Sequence, residues 1–150
     1  MELSSSKLFR ENIRLLERKL GLLKKNTGCC YDDITFTQCH ALVEIGRANE
    51  IMLKNLATIL AIDISTTSRT VDGLVNKNYV ERLPSSKDRR SVEISLTEAG
   101  EKLFHNIEST MDEYYDDLFS YVPSDEKMNV LHCLDVILDA FRETESKKNL

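Results

Sequence analysis

Two stretches of this 150-residue chain hold residues whose types and spacing could do chemistry. The first is SSKDRRS, residues 85–91, where Lys87, Arg89 and Arg90 gather around Asp88 between two strand-like runs. Cations collected in this way suit phosphate groups, and a carboxylate flanked by arginines can fix one guanidinium through paired hydrogen bonds. The second is GCCYDDITFTQCHA, residues 28–41, in which vicinal Cys29 and Cys30 precede Cys39 and His40. Three thiolates and an imidazole brought together form a soft ligand set that selects zinc, copper(I) or a thiophilic metalloid over calcium or magnesium. The same thiols could instead oxidise through a sulfenate to a disulfide, for which a bridge to Cys39 is less strained than a Cys29–Cys30 ring.

The elements that must position these groups are mostly helical. Leu8, Ile13, Leu15, Leu16, Leu20 and Leu23 make an amphipathic helix over 7–25, and residues 26–33 read as a turn. Thr35 and Gln38 have capping-box spacing at the head of a helix carrying Cys39, Leu42, Val43 and Ile45 and ending near Gly46. A short helix, LKNLATILA, and a second opened by Asp63 over 64–77 then form a helix-turn-helix candidate. On the second, Thr67, Val71, Leu74 and Val75 face inward, leaving Ser65, Thr66, Ser68, Arg69, Asp72 and Asn76 outward. YVERL and VEISL are the two arms of a hairpin with the basic turn at its tip. Thr97 and Gly100 open a long helix, and Pro123 and Ser124 begin a last one that carries Cys133 as a small core residue.

The expected architecture is mainly α with a small β hairpin, an α+β winged helix-turn-helix domain, in one domain spanning 1–150. The DNA-reading part covers 35–100, and helices over 7–25 and 101–145 carry apolar stripes that a small winged domain cannot cover, which suits dimerisation. The chain has a formal net charge of −5, yet residues 54–90 hold seven basic against four acidic residues. Because attraction to phosphate is local at a Debye length of roughly 8 Å, an acidic protein with such a segment can bind DNA. Small polar residues and an arginine on the outward face, Ser65, Thr66, Ser68 and Arg69, suit the major groove, and a basic tip beside them can reach the minor groove. No run approaches the roughly 18 apolar residues of a membrane span, and no export signal is visible, so a cytoplasmic protein with reduced thiols and no membrane partner is expected.

The stretch ISTTSRTVDGLVNKNYVERLPSSKDRRSVEISLTEAG resembles the winged helix-turn-helix of MarR-type transcriptional regulators, most specifically over residues 53–100. The resemblance implies a homodimer whose first and last helices intertwine, bound to a pseudopalindromic operator in double-stranded DNA, and repression relieved by a small effector. It makes Arg90 the wing arginine and Asp88 its ion-pair partner, with Arg89 nearby. Gly73 inside the recognition helix, at a cost of about 1 kcal/mol against alanine, and Met52 in place of a capping Ser or Thr depart from the pattern. The family's zinc-uptake repressors offer a partial parallel to Cys29, Cys30, Cys39 and His40, with His105 available on the helix after the wing and Ser109 in place of a second histidine. A thiol where they have a carboxylate favours a softer effector such as arsenite or antimonite over zinc.

The effector therefore stays open among a soft metal or metalloid, a thiol oxidant, and an organic molecule acting on a protein with structural cysteines. No cofactor is required by any of these. An enzyme with Cys29 or Cys30 as nucleophile and His40 as base lacks an orienting third group and a phosphate-cradling glycine loop, and no catalytic residue is assigned. A protein-interaction module that does not bind DNA would leave the Arg69 and Arg90 surfaces dispensable.

Overall fold

The computed structural model describes residues 4–21, 33–85 and 92–148. The order of elements is α1 (Ser5–Lys19), α2 (Phe36–Ala48), β1 (Glu50–Met52), α3 (Leu53–Leu60), α4 (Ile64–Asn76), β2 (Val80–Pro84), β3 (Val92–Leu96), α5 (Glu98–Ser120) and α6 (Lys127–Lys148). The chain divides into two compact units, residues 1–110 and 111–150.

In the first unit a three-stranded antiparallel sheet in the order β1-β3-β2 stands beside the helices. β2 and β3 form the expected hairpin, with Val80 opposite Leu96 and Pro84 opposite Val92. β1 has no counterpart among the elements expected from sequence; its three residues pair with β3 so that Ile51 lies opposite Ile94. Only Ile51 of the three is buried, so there is no alternation long enough to reveal a strand. Leu42, Ile45, Leu56, Val71, Leu74, Val80 and Ile94 form the centre of the core, and α2, α3, α4 and the sheet meet around them.

The local signals account for the helix starts. Thr35 and Gln38 make both bonds of the capping box, Gln38 N to Thr35 Oγ1 at 3.2 Å and Thr35 N to Gln38 Oε1 at 3.1 Å. α2 does not end at Gly46 but runs to Ala48 and is closed by Asn49, which takes a positive φ of 62°; Gly46 instead makes room for the Phe104 ring, from which a Cβ would lie 2.7 Å. α5 is capped by Thr97, whose hydroxyl accepts the Gly100 amide at 3.1 Å.

In the second unit α6 starts at Lys127, later than Pro123 and Ser124 suggest, after a turn in which Glu126 N bonds Pro123 O. Cys133, read as a core residue, is exposed on α6, with Sγ 3.8 Å from Asn129 Oδ1. α6 displays Leu131, Leu134, Leu138 and Phe141 to solvent, and α1 of the first unit displays Leu8, Phe9, Leu15 and Leu16. The first helix runs Ser5–Lys19 against the expected 7–25, and residues 22–25 lie outside the described residues.

Candidate nucleic-acid interface

The surface that can meet DNA is built on α3 and α4. α3 ends at Ala61, which takes a left-handed conformation (φ 53°, ψ 39°), and Ile62 N closes the turn on Ala57 O at 3.2 Å. Asp63 then starts α4. Its carboxylate accepts the Ser65 hydroxyl at 2.5 Å, the Thr66 hydroxyl at 2.6 Å and the Thr66 amide at 2.8 Å. These bonds, side-chain ones first, hold its pKa well below the ordinary carboxylate range, so the cap is charged wherever the protein works.

The two faces of α4 are sharply different. Thr67, Val71 and Leu74 are fully buried, and Thr67 Oγ1 satisfies itself by donating to Asp63 O at 2.9 Å. Val75, expected inward, is exposed: it lies one position past Leu74, and a helical step of one residue turns it off the buried stripe. Ser65, Arg69, Asp72 and Asn76 are exposed, and Thr66 and Ser68 half-buried. Arg69 Nη2 lies 3.5 Å from Ser65 Oγ, a contact loose enough to leave the guanidinium available.

Gly73, a helix-propensity cost in the sequence, has a packing reason. The Gln38 amide rests on it, and a Cβ would come within 2.3 Å of Gln38 Nε2. That amide belongs to a cluster which sequence spacing did not reveal. Lys77 Nζ donates to Gln38 Oε1 at 3.0 Å and to the Asp33 carbonyl, and the Tyr79 hydroxyl donates to Asp33 Oδ2 at 2.5 Å. The C-terminal end of the recognition helix is thus tied to the head of α2.

The hydrogen bond to Asp33, with burial and the carboxylate's charge adding to it, raises the Tyr79 pKa above the ordinary 10.0. A raised folded value means that this contribution to stability is complete below about pH 10 and is lost as pH climbs through the folded pKa. The stability difference between wild type and Tyr79→Phe should therefore hold steady up to about pH 10 and shrink as pH rises above it in paired denaturant titrations; a constant difference would show that the bond is not formed.

In the wing, Ser85 is buried and its hydroxyl donates to Glu93 Oε1 at 2.8 Å, closing the base of the hairpin. Arg82 of β2, not assigned a role by the sequence, forms an ion pair with Asp72 of α4 at 2.8 Å. The tip residues Lys87, Asp88, Arg89 and Arg90 lie outside the described residues.

The proposed thiol constellation is only partly in view. Cys29 and Cys30 lie outside the described residues. Cys39 is buried and disulfide-bonded. His40, one residue on and so turned off the buried stripe, is exposed with its ring edge-on to Phe36 at 4.4 Å. His105 is exposed on α5, with Nε2 3.7 Å from Glu101 Oε2. Among the described residues no three His, Cys, Asp or Glu side chains are grouped to hold a metal ion, so Cys39, His40 and His105 do not make a site by themselves. No described helix is long and apolar enough to cross a membrane.

The sequence model of the MarR family matches residues 34–92, from the head of α2 to the first residue of β3. The transcriptional regulator SarZ of Staphylococcus haemolyticus is 26% identical over 106 residues, covering 71% of each chain. The multiple antibiotic resistance protein MarR of Escherichia coli is 40% identical over 68 residues, so the chain spans about half the length of this relative, 47%, with 45% of its own. A mutant E. coli MarR solved in complex with operator DNA superposes with a TM-score of 0.61 at 28% identity, covering 89% of both chains. With the helix-turn-helix, the hairpin and the polar outward face of α4 in the family's order, the chain is similar to the MarR family of winged-helix DNA-binding transcriptional regulators.

Proposed function

We propose that the protein is a homodimeric repressor that reads a pseudopalindromic operator. α4 enters the major groove with Ser65, Thr66, Ser68 and Arg69 outermost, and the wing lays Arg90 in the minor groove, Asp88 steadying it, with Lys87 and Arg89 on phosphates. The observation that carries this reading is the two-sidedness of α4: three side chains fully buried, and an exposed arginine on the opposite face. Exposed apolar side chains along α1 and α6 support pairing of two copies through these helices.

Release from DNA is assigned to the cysteine-bearing stretch, by a soft metal or metalloid such as arsenite, antimonite or zinc, or by a thiol oxidant acting on Cys29, Cys30 and Cys39. The disulfide at Cys39 favours oxidation, since a thiol already bonded to sulfur is not a thiolate ligand, and His40 and His105 then remain surface groups. Such an effector acts by preferring one spacing of the two recognition helices over another.

Fluorescence anisotropy with the DNA upstream of the gene tests both parts. Arg69→Ala and Arg90→Ala should each cost roughly 1 to 3 kcal/mol of binding to the operator if they make specific groove contacts; unchanged affinity would remove that role. Peroxide should release the reduced wild type but not Cys39→Ser, whereas release by arsenite or zinc alone would favour the metal reading. Indifference to all three would leave an organic effector. DNA-independent behaviour throughout would leave an interaction module.

A further inference from the structure

Positions 65, 69, 72 and 76 of α4 follow one another at helical spacing and lie on one stripe, so the exposed carboxylate of Asp72 stands between Arg69 and Asn76 on the face assigned to DNA. A bare carboxylate there opposes phosphates well inside the Debye length of roughly 8 Å at physiological salt. It is not bare: Arg82 reaches across from β2, with Nη2 2.8 Å from Asp72 Oδ1. The two side chains retain 38% and 54% of their exposure, and a pair so open to water adds little to folding. Its location on the recognition stripe is what gives it weight.

We infer that Arg82 is a positioning residue for DNA binding, which neutralises Asp72 within the DNA-facing stripe and holds the wing strand against the recognition helix instead of gripping a phosphate itself. This rests on the placement of α4 in the major groove. The geometry favours neutralisation over direct contact because the Arg82 guanidinium is already engaged by Asp72, and a carboxylate accepting a charge-assisted bond fixes its donor.

A double-mutant cycle separates the two roles, because Arg82→Ala leaves an uncompensated negative charge on the stripe whereas adding Asp72→Asn removes it again. The probe is a duplex selected from random sequence by the full-length wild type, with an unrelated duplex alongside. Arg82→Ala should weaken binding roughly tenfold on both duplexes, with little change in melting temperature. Asp72→Asn alone should tighten binding to the unrelated duplex, and Asp72→Asn with Arg82→Ala should return to within a few-fold of wild type. Failure of the second substitution to rescue, with a salt slope lower by about 1, would make Arg82 a phosphate contact and overturn the inference. Wild-type affinity in Arg82→Ala would overturn it too. A wild type that binds neither duplex would instead remove the DNA reading on which it stands.

Discussion

Replacing Gly100 with alanine is expected to destabilise the protein by about 3 kcal/mol or more, against the usual gain of about 1 kcal/mol for alanine over glycine inside a helix. The reason is the closeness of a backbone atom that cannot retreat. A Cβ at Gly100 would lie 1.9 Å from the Tyr79 carbonyl oxygen. That carbonyl accepts Thr97 N at 3.1 Å, and the neighbouring Asn78 carbonyl accepts the Thr97 hydroxyl at 2.6 Å. The same hydroxyl caps Gly100 N, so the turn after α4 and the turn before α5 are stitched at one point. Gly46→Ala is the useful contrast: its Cβ would meet the Phe104 ring at 2.7 Å, and a side chain can rotate or shift where a backbone carbonyl cannot. Urea titrations of both variants check this, and a Gly100→Ala loss below about 1 kcal/mol would mean that the two turns are not locked together.

What could be read from the sequence was local. The capping box of Thr35 and Gln38 and the Asp63 cap are bonds between residues three apart or fewer, and the structure forms them as their spacing suggests. The inward stripe Thr67, Val71 and Leu74 follows from helical period alone, as does the outward placement of Ser65 and Arg69. What could not be read was set by partners far along the chain. β1 exists because Ile51 pairs with Ile94, and three residues cannot display a period. Gly73 is only a cost by helix propensity, and its reason is the Gln38 amide resting on it from α2. The Asp72–Arg82 pair joins a helix to a strand, and no spacing rule links those positions. Cys39 and His40, adjacent in sequence and read as partners, turn to different sides of α2 because successive helical residues diverge by about 100°.

The second large effect links the core to DNA. Leu74 has no exposed surface and sits on the inner face of α4, where α4 meets α2, α3 and β2. Its carbonyl also accepts Tyr79 N at 3.0 Å, closing the turn into the wing. Leu74→Ala should cost about 2 to 5 kcal/mol, the range set by how far the surroundings close over the lost methyls. Since a domain of this size holds only about 5 to 15 kcal/mol in reserve, the variant remains mostly folded at low temperature. Its DNA affinity then becomes informative. If α4 keeps its place above the cavity, affinity should fall only by the fraction unfolded in a parallel denaturant titration. If the helix sinks toward the void, Arg69 and the stripe around it withdraw from the groove, and affinity should fall further than stability accounts for. The first result is expected, because Leu74 lies in the last turn of α4, the end that Lys77 and Tyr79 tether to the Asp33 region. An affinity loss larger than the unfolded fraction would show that those tethers, even with the Asp72–Arg82 pair, do not hold the recognition face without Leu74.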